Sequence, residues 1–192
     1  MVVLPALYRY LFTALWLAWI GYWWVLSRDV KPTARQEPLS SRMAYIGPLV
    51  LAGLLLALPS LPMPVLRERF VPRSPATFAA AAALTAAGLA FTVWARRHLG
   101  RNWSGTVTIK EDHELVTSGP YAIVRHPIYT GLLLAFIGSA IAVGEWRGVV
   151  AVVLALLSFL FKLRIEERFM RERFGDAYHA YCRRVPALVP LL

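Results

Sequence analysis

Apolar runs long enough to cross a membrane alternate with short basic stretches along most of the chain. A helix needs roughly 20 apolar residues to cross a hydrocarbon core ~30 Å thick. Residues 4–26 meet that need, interrupted only by Arg9, and carry Trp16, Trp19, Trp23 and Trp24, aromatics suited to a membrane–water belt. Residues 43–66 form the next run, which Pro59, Pro62 and Pro64 should stop or kink. The alanine-rich run 75–94 offers Ala79, Ala80, Ala83, Leu84, Ala87 and Gly88 for close helix contact. Residues 128–143 follow Pro127, a favoured first-turn residue, and 149–174 extend past the apolar part into charge. Gly175-Asp176 reads as a stop and a new N-cap before a short helix, 177–184. The pattern predicts an all-α polytopic membrane protein with about five transmembrane helices and a cytosolic C-terminal helical extension. Residues 1–192 read as one membrane domain, with N-terminal helices in 1–74 and a second half in 75–192 that contains the long polar connection 95–126.

Composition agrees. Of the 192 residues, 58% are hydrophobic and only 17% charged, with a mean hydropathy of +0.53, too little polar surface to clothe a water-soluble globule. The net charge of +10 and isoelectric point near 10.4 raise nucleic acid as a partner. The basic residues sit between apolar runs rather than in one patch, so none is expected. Cys182 stands alone, which excludes an internal disulfide, and no Cys/His cluster suggests a metal. The first run has no basic leader or small-x-small cleavage pattern and reads as a retained anchor. With the N-terminus outside, most of the 21 Lys and Arg fall on the inner side, and only Arg9, Arg67, Arg69, Arg73 and Arg147 fall outside. The expected location is the inner (cytoplasmic) membrane, multi-pass, with loop 95–126 and the C-terminus cytoplasmic.

Runs 128–143 and 149–163 are about 24 and 22 Å long at 1.5 Å per residue, short of the core thickness. Arg125, His126, Lys162, Arg164, Glu166 and Glu167 are thereby drawn to the headgroup level, where clustered ionisable groups mark a candidate site. The loop-to-helix junction presents Tyr121, Arg125, His126, Pro127, Tyr129 and Gly131. Free N–H groups at a helix start, with Arg125 and His126 beside them, suit an anion, and Gly131 would let a flat group approach the backbone. A capped helix start with Arg125 reaching for headgroups accounts for the same residues. Glu167 and Arg171 are spaced to pair along one helix. A carboxylate here could accept from ribose hydroxyls or an amino group, and a guanidinium could hold a substrate carboxylate; a solvated charged extension is the plainer alternative. Tyr178 and Tyr181 share a helix face and could form a wall against adenine or a sulfonium, or simply pack. His113 and His179 read as solvated, His98 is ambiguous, and Trp103-Ser104 could fold back as a lid. No GxGxxG, P-loop, GxSxG or HExxH occurs, which excludes a Rossmann-type methyltransferase domain.

The order Leu99-Gly100-Arg101-Asn102-Trp103-Ser104, residues 115–121 ending in Gly119-Pro120-Tyr121, Arg125-His126-Pro127-Ile128-Tyr129-Thr130-Gly131, Glu166-Glu167, Phe174-Gly175 with Tyr178 and Tyr181, and Val185-Pro186 resembles the isoprenylcysteine carboxyl methyltransferase family, particularly its prokaryotic members. The likeness covers roughly the C-terminal half. It implies S-adenosyl-L-methionine as cofactor, held in 75–192 by Tyr121, Arg125, His126, Pro127, Tyr129, Gly131, Glu166, Glu167 and Tyr178. Glu166 is favoured over Glu167 as the family's acidic position from its spacing to Gly175, and Arg164 and Arg171 would orient the substrate. The implied activity is methylation of a carboxylate on a lipophilic small molecule or lipid at the cytoplasmic membrane face. Such an acceptor is already ionised and needs little acid–base help. An amine acceptor, as in a phospholipid or amine N-methyltransferase, would need Glu166 or His126 as a base. An NADPH-dependent sterol-type reductase, which can carry a similar junction, is a further alternative, and a non-catalytic lipid-contacting protein another.

Overall fold

The computed structural model describes residues 3–28, 33–36, 38–58, 63–103, 108–110 and 114–190, without the side chains of 3–9, 33–36 and 108–110. Six helices carry the fold: α1 Val3–Leu26, α2 Leu39–Ala57, α3 Pro75–Leu99, α4 Pro127–Val143, α5 Trp146–Phe174 and α6 Asp176–Arg184. Two short strands, β1 Thr33–Gln36 and β2 Thr108–Lys110, pair antiparallel between the two polar connections, a ribbon that the hydropathy pattern does not announce. Ser74 caps α3 by accepting from the Thr77 N–H at 3.0 Å, with Pro75 at the first turn. Gly144 ends α4 in the left-handed region (φ 64°), where glycine avoids a Cβ clash, and α5 starts two residues later.

α3 and α4 pack as an antiparallel pair through glycines. A Cβ on Gly88 would lie 2.5 Å from the Gly131 carbonyl oxygen, and one on Gly131 would lie 2.6 Å from that of Gly88. The buried face of α3 is Phe78, Ala81, Thr85, Gly88, Leu89, Thr92 and Ala95. Of the small residues expected at this contact, Gly88 alone is buried; Ala79, Ala80, Ala83 and Ala87 face outward and Leu84 is half-buried. Alanine is as comfortable against lipid as against protein, so an alanine run carries no phase. The threonines do carry one. Thr85 Oγ1 donates to the Ala81 carbonyl at 2.9 Å and Thr92 Oγ1 to that of Leu89 at 2.7 Å, hydrogen bonds that let hydroxyls sit inside.

α2 lies along α5, and α4 completes the core with Tyr129 and Phe136 against Ala52, Leu55, Ala151, Ala155, Phe159 and Leu163. α2 starts earlier than expected and ends at Ala57; Pro59 and Pro62 lie outside the described residues. The exterior is apolar, with Leu17, Ile20, Val50, Leu51, Val153, Leu157 and Phe161 exposed, while Arg96, Arg147 and Glu167 are inside. That inverts a water-soluble protein. α2, the α3 stretch Pro75–Asn102 and α5 are each long and apolar enough to cross a membrane, and Tyr10–Leu26 and α4 are shorter apolar helices. The chain is a helical membrane protein. At 29 residues α5 is about 44 Å long, so one end must project beyond the hydrocarbon.

Candidate active site

The start of α4, the distal third of α5 and α6 meet around buried charge. Arg125 Nε and Nη2 donate to Glu167 Oε1 at 3.0 and 2.6 Å, and Nη1 donates to the Val185 carbonyl at 2.5 Å. Arg171 Nη2 donates to the other Glu167 oxygen at 2.7 Å, the pairing its i,i+4 spacing predicts. His126 sits between both acids, Nε2 3.3 Å from Glu167 Oε1 and Nδ1 3.5 Å from Glu166 Oε2. Burial alone would lower the His126 imidazole, but its hydrogen bonds to Glu166 and Glu167 outweigh burial and raise it above its ordinary value. The Tyr129 hydroxyl donates to Glu166 Oε1 at 2.5 Å, and its ring lies parallel between His126 and Phe159, at 5.6 and 5.1 Å.

The segment after α6 holds this junction in place. The Arg125 and His126 N–H groups donate to the Pro186 and Ala187 carbonyls at 2.8 and 3.0 Å, and Thr130 Oγ1 donates to that of Leu188 at 2.7 Å. The Tyr181 hydroxyl donates to the Tyr121 carbonyl at 2.6 Å. Burial pushes the Tyr181 phenol up to about 12, and raises Tyr121 and Tyr178 as well, so all three stay neutral donors at cellular pH.

A cavity of about 420 Å³, within the ordinary range for a small-molecule site, opens beside this network. Tyr121, Arg125, His126, Pro127, Tyr129, Glu166 and Tyr178 all line it, so seven of the sequence candidates converge on one space. Four do not. Gly131 faces α3, and the room left by its missing Cβ is taken by Gly88 and Thr92 rather than by a ligand. Glu167 is buried behind Arg125, His126 and Arg171. Arg171 is spent on Glu167, and Arg164 is exposed and off the cavity wall, so neither stands where it would orient a substrate. Besides Arg125, the wall carries the cation Lys162, its Nζ 5.1 Å from the Tyr45 ring centroid and 5.6 Å from that of Tyr129.

The hydropathy pattern gives no sign of the wall that α1 and α2 contribute. Trp19, Trp23, Tyr45 and Leu49 line the cavity, and Trp103 meets Trp23 edge-on at 5.6 Å. Trp16, Trp19 and Trp23 thus turn inward instead of forming a belt; Trp24 alone is 61% exposed, with the Arg28 guanidinium 3.8 Å over its ring. Trp19 Nε1 donates to Thr92 Oγ1 at 2.6 Å, which fixes the indole inward. Arg96, 2% exposed, donates to the Leu26 and Gly100 carbonyls and stacks 4.5 Å from the Trp103 ring, tying the ends of α1 and α3 to that side of the cavity. Ser104 and His113 lie outside the described residues, His179 is exposed, and His98 is hydrogen bonded with Ser118 Oγ at 2.9 Å beneath Gly119. A lone lysine amid the apolar run of α5 was the sequence signal for Lys162.

Residues 76–177 match the model of the phospholipid methyltransferase family, more than half of the chain. The chain belongs to that family. Relatives within reach include the protein-S-isoprenylcysteine O-methyltransferase of Schizosaccharomyces pombe, 38% identical over 48% of this chain and 41% of the relative. Protein-S-isoprenylcysteine O-methyltransferase B of Arabidopsis thaliana is 32% identical over 48% of this chain and 49% of its own length. Methanethiol S-methyltransferase 2 of Bradyrhizobium diazoefficiens is 42% identical over 38% and 27%. Alignments to the isoprenylcysteine enzymes thus span about half of their length. Family membership agrees with the motif likeness, and the matched residues contain α3, α4 and α5, the helices that carry the charged end of the cavity.

Proposed function

We propose that this protein is an S-adenosyl-L-methionine-dependent membrane methyltransferase that methylates a carboxylate on a lipophilic acceptor at the cytoplasmic face. One observation carries the reading: a single cavity joins a charged, hydrogen-bonding end to an aromatic and aliphatic end lined by α1 and α2. A polar cofactor and an apolar acceptor need those two environments side by side. Membership in a methyltransferase family supports methyl transfer over reduction by NADPH.

The residues fit the cofactor by their chemistry. Glu166, with its oxygens turned to Tyr129 and His126 and its side chain 23% exposed, can accept from ribose hydroxyls or an ammonium group. Tyr121, Tyr178 and Tyr181 offer aromatic faces to adenine and to a positive sulfonium. When bound, the cofactor supplies an electrophilic methyl group. On the acceptor side Lys162 would hold an anionic oxygen, and Trp19, Trp23, Tyr45 and Leu49 would receive the apolar body. No residue need remove a proton from a carboxylate that is already ionised, so the chain's contribution is orientation and exclusion of water. The family relatives carry different acceptors in their names, a protein isoprenylcysteine and methanethiol, which is why the acceptor class needs its own test.

That test is titration calorimetry of the detergent-purified protein with S-adenosylmethionine, S-adenosylhomocysteine and NADPH, followed by transfer of labelled methyl to an isoprenylated cysteine, a long-chain fatty acid and a phospholipid amine. Binding of both adenosyl ligands and base-labile label on a carboxylate are expected. NADPH binding alone would overturn the reading, and base-stable label on the amine would move it to N-methylation.

A further inference from the structure

The end of α4 remote from His126 borders a second and larger cavity, about 610 Å³, which the proposed reaction does not use. Its walls are apolar, built from Phe12, Leu17 and Ile20 of α1, Leu56 of α2 and Phe136 and Val143 of α4. Trp16 divides it from the first cavity. That indole meets Phe136 edge-on at 5.4 Å, donates from Nε1 to Ser139 Oγ at 3.1 Å, and meets Trp19, which faces the other space, at 5.9 Å.

The mouth of this cavity is cationic. Arg69, Arg73, Arg147 and Glu145 line it, three guanidiniums to one carboxylate. Glu145 is already engaged, accepting from Arg147 Nε at 2.7 Å and lying 3.7 Å from Arg69. Arg147 is buried and anchors α2 through the Leu55 and Leu58 carbonyls; Arg69 donates to the Val143 carbonyl at 2.6 Å. Arg73 is exposed and forms no ion pair among the described residues. Positive charge is therefore in excess at the rim of an apolar hollow.

Water gains little in a hollow with so few polar partners, whereas a hydrocarbon chain fills it at no cost in hydrogen bonds. The surrounding solvent is lipid, and a cationic rim selects an anionic head. We infer that this cavity takes one hydrocarbon chain of an anionic phospholipid, with the phosphate at Arg73, in the leaflet opposite the charged site. Such a lipid would fill the gap between α1 and α2, which barely touch each other directly.

Native mass spectrometry of the protein, equilibrated in detergent with equal amounts of phosphatidylglycerol and phosphatidylcholine of identical chains, tests this. The wild type is expected to retain one phosphatidylglycerol preferentially. Arg73→Ala, at an exposed position that should not disturb folding, is expected to lower that preference about fivefold. Ala142→Phe, which fills the cavity, is expected to reduce retention of both lipids. Should that variant fail to fold, quenching of Trp16 by phosphatidylglycerol with brominated chains, read as the difference between wild type and Trp16→Phe, reports chain entry. Equal retention of the two lipids, a preference indifferent to Arg73, or no Trp16-dependent quenching would overturn the inference and leave only annular lipid.

Discussion

Glu166 and Glu167 are neighbours in the chain and part company in space. Glu167 is the buried hub of Arg125, His126 and Arg171, while Glu166 shares the cavity wall with Tyr129. Their alanine variants should therefore fail differently. Glu166→Ala is expected to weaken S-adenosylhomocysteine binding about 10- to 100-fold by calorimetry, the worth of a charge-assisted hydrogen bond, with thermal unfolding near that of the wild type. Glu167→Ala strands two buried cations and is expected to cost about 3 kcal/mol of stability, read in detergent by thermal or denaturant unfolding. His126 adds a pH signature. Its folded pKa lies above its unfolded value, so its stabilisation is complete below about pH 6.5 and is lost as pH rises through the folded value. The unfolding temperature is expected to decline across that rise in the wild type and to stay level in His126→Gln. A fall towards acid instead would mean that the neutral imidazole is the one the fold prefers.

Among the elements, the α3–α4 pair is the least forgiving. Gly131→Val places a branched side chain against the Gly88 carbonyl and Thr92, both fixed by helix geometry, and is expected to destabilise by about 3 kcal/mol or prevent folding. Retained stability would mean that the helices can separate by more than their contact suggests. The presence of the helices and the gathering of the His126, Tyr129, Glu166 and Tyr178 cluster were legible, because apolar length and charge at a run's edge survive in any membrane fold. Which way a helix faces was harder to read. Ala79 and Ala83 give no signal because lipid and protein suit alanine equally, and the inward tryptophans of α1 resemble belt residues until Ser139 and Thr92 are seen to accept from the indoles of Trp16 and Trp19 and Trp103 to meet the ring of Trp23. Gly131 suggests room for a ligand on sequence alone, because sequence shows a missing side chain without showing that Gly88 and Thr92 use the space.

Across the whole molecule, α4 separates two chemistries by its own length, about 25 Å for 17 residues. One end carries acids, His126 and the aromatic cavity; the other carries the arginine-rimmed hollow. The topology that the basic residues predict, five crossings with the N-terminus outside, would put these ends on opposite faces of the membrane. In a Cys182→Ser background, Arg183→Cys is expected to react with an impermeant maleimide only from the cytoplasmic side and Arg73→Cys only from the other; labelling of both from one side would refute the topology. The segment that ties down Arg125 also has a bearing on biogenesis. Arg125 and its Val185 partner are 60 residues apart in the chain, so α4 is synthesised well before the carbonyls that hold its start exist. The pocket therefore closes only once residues 185–188 have been made, and a nascent chain already threaded into the bilayer must wait for that strap before Arg125 has all its partners.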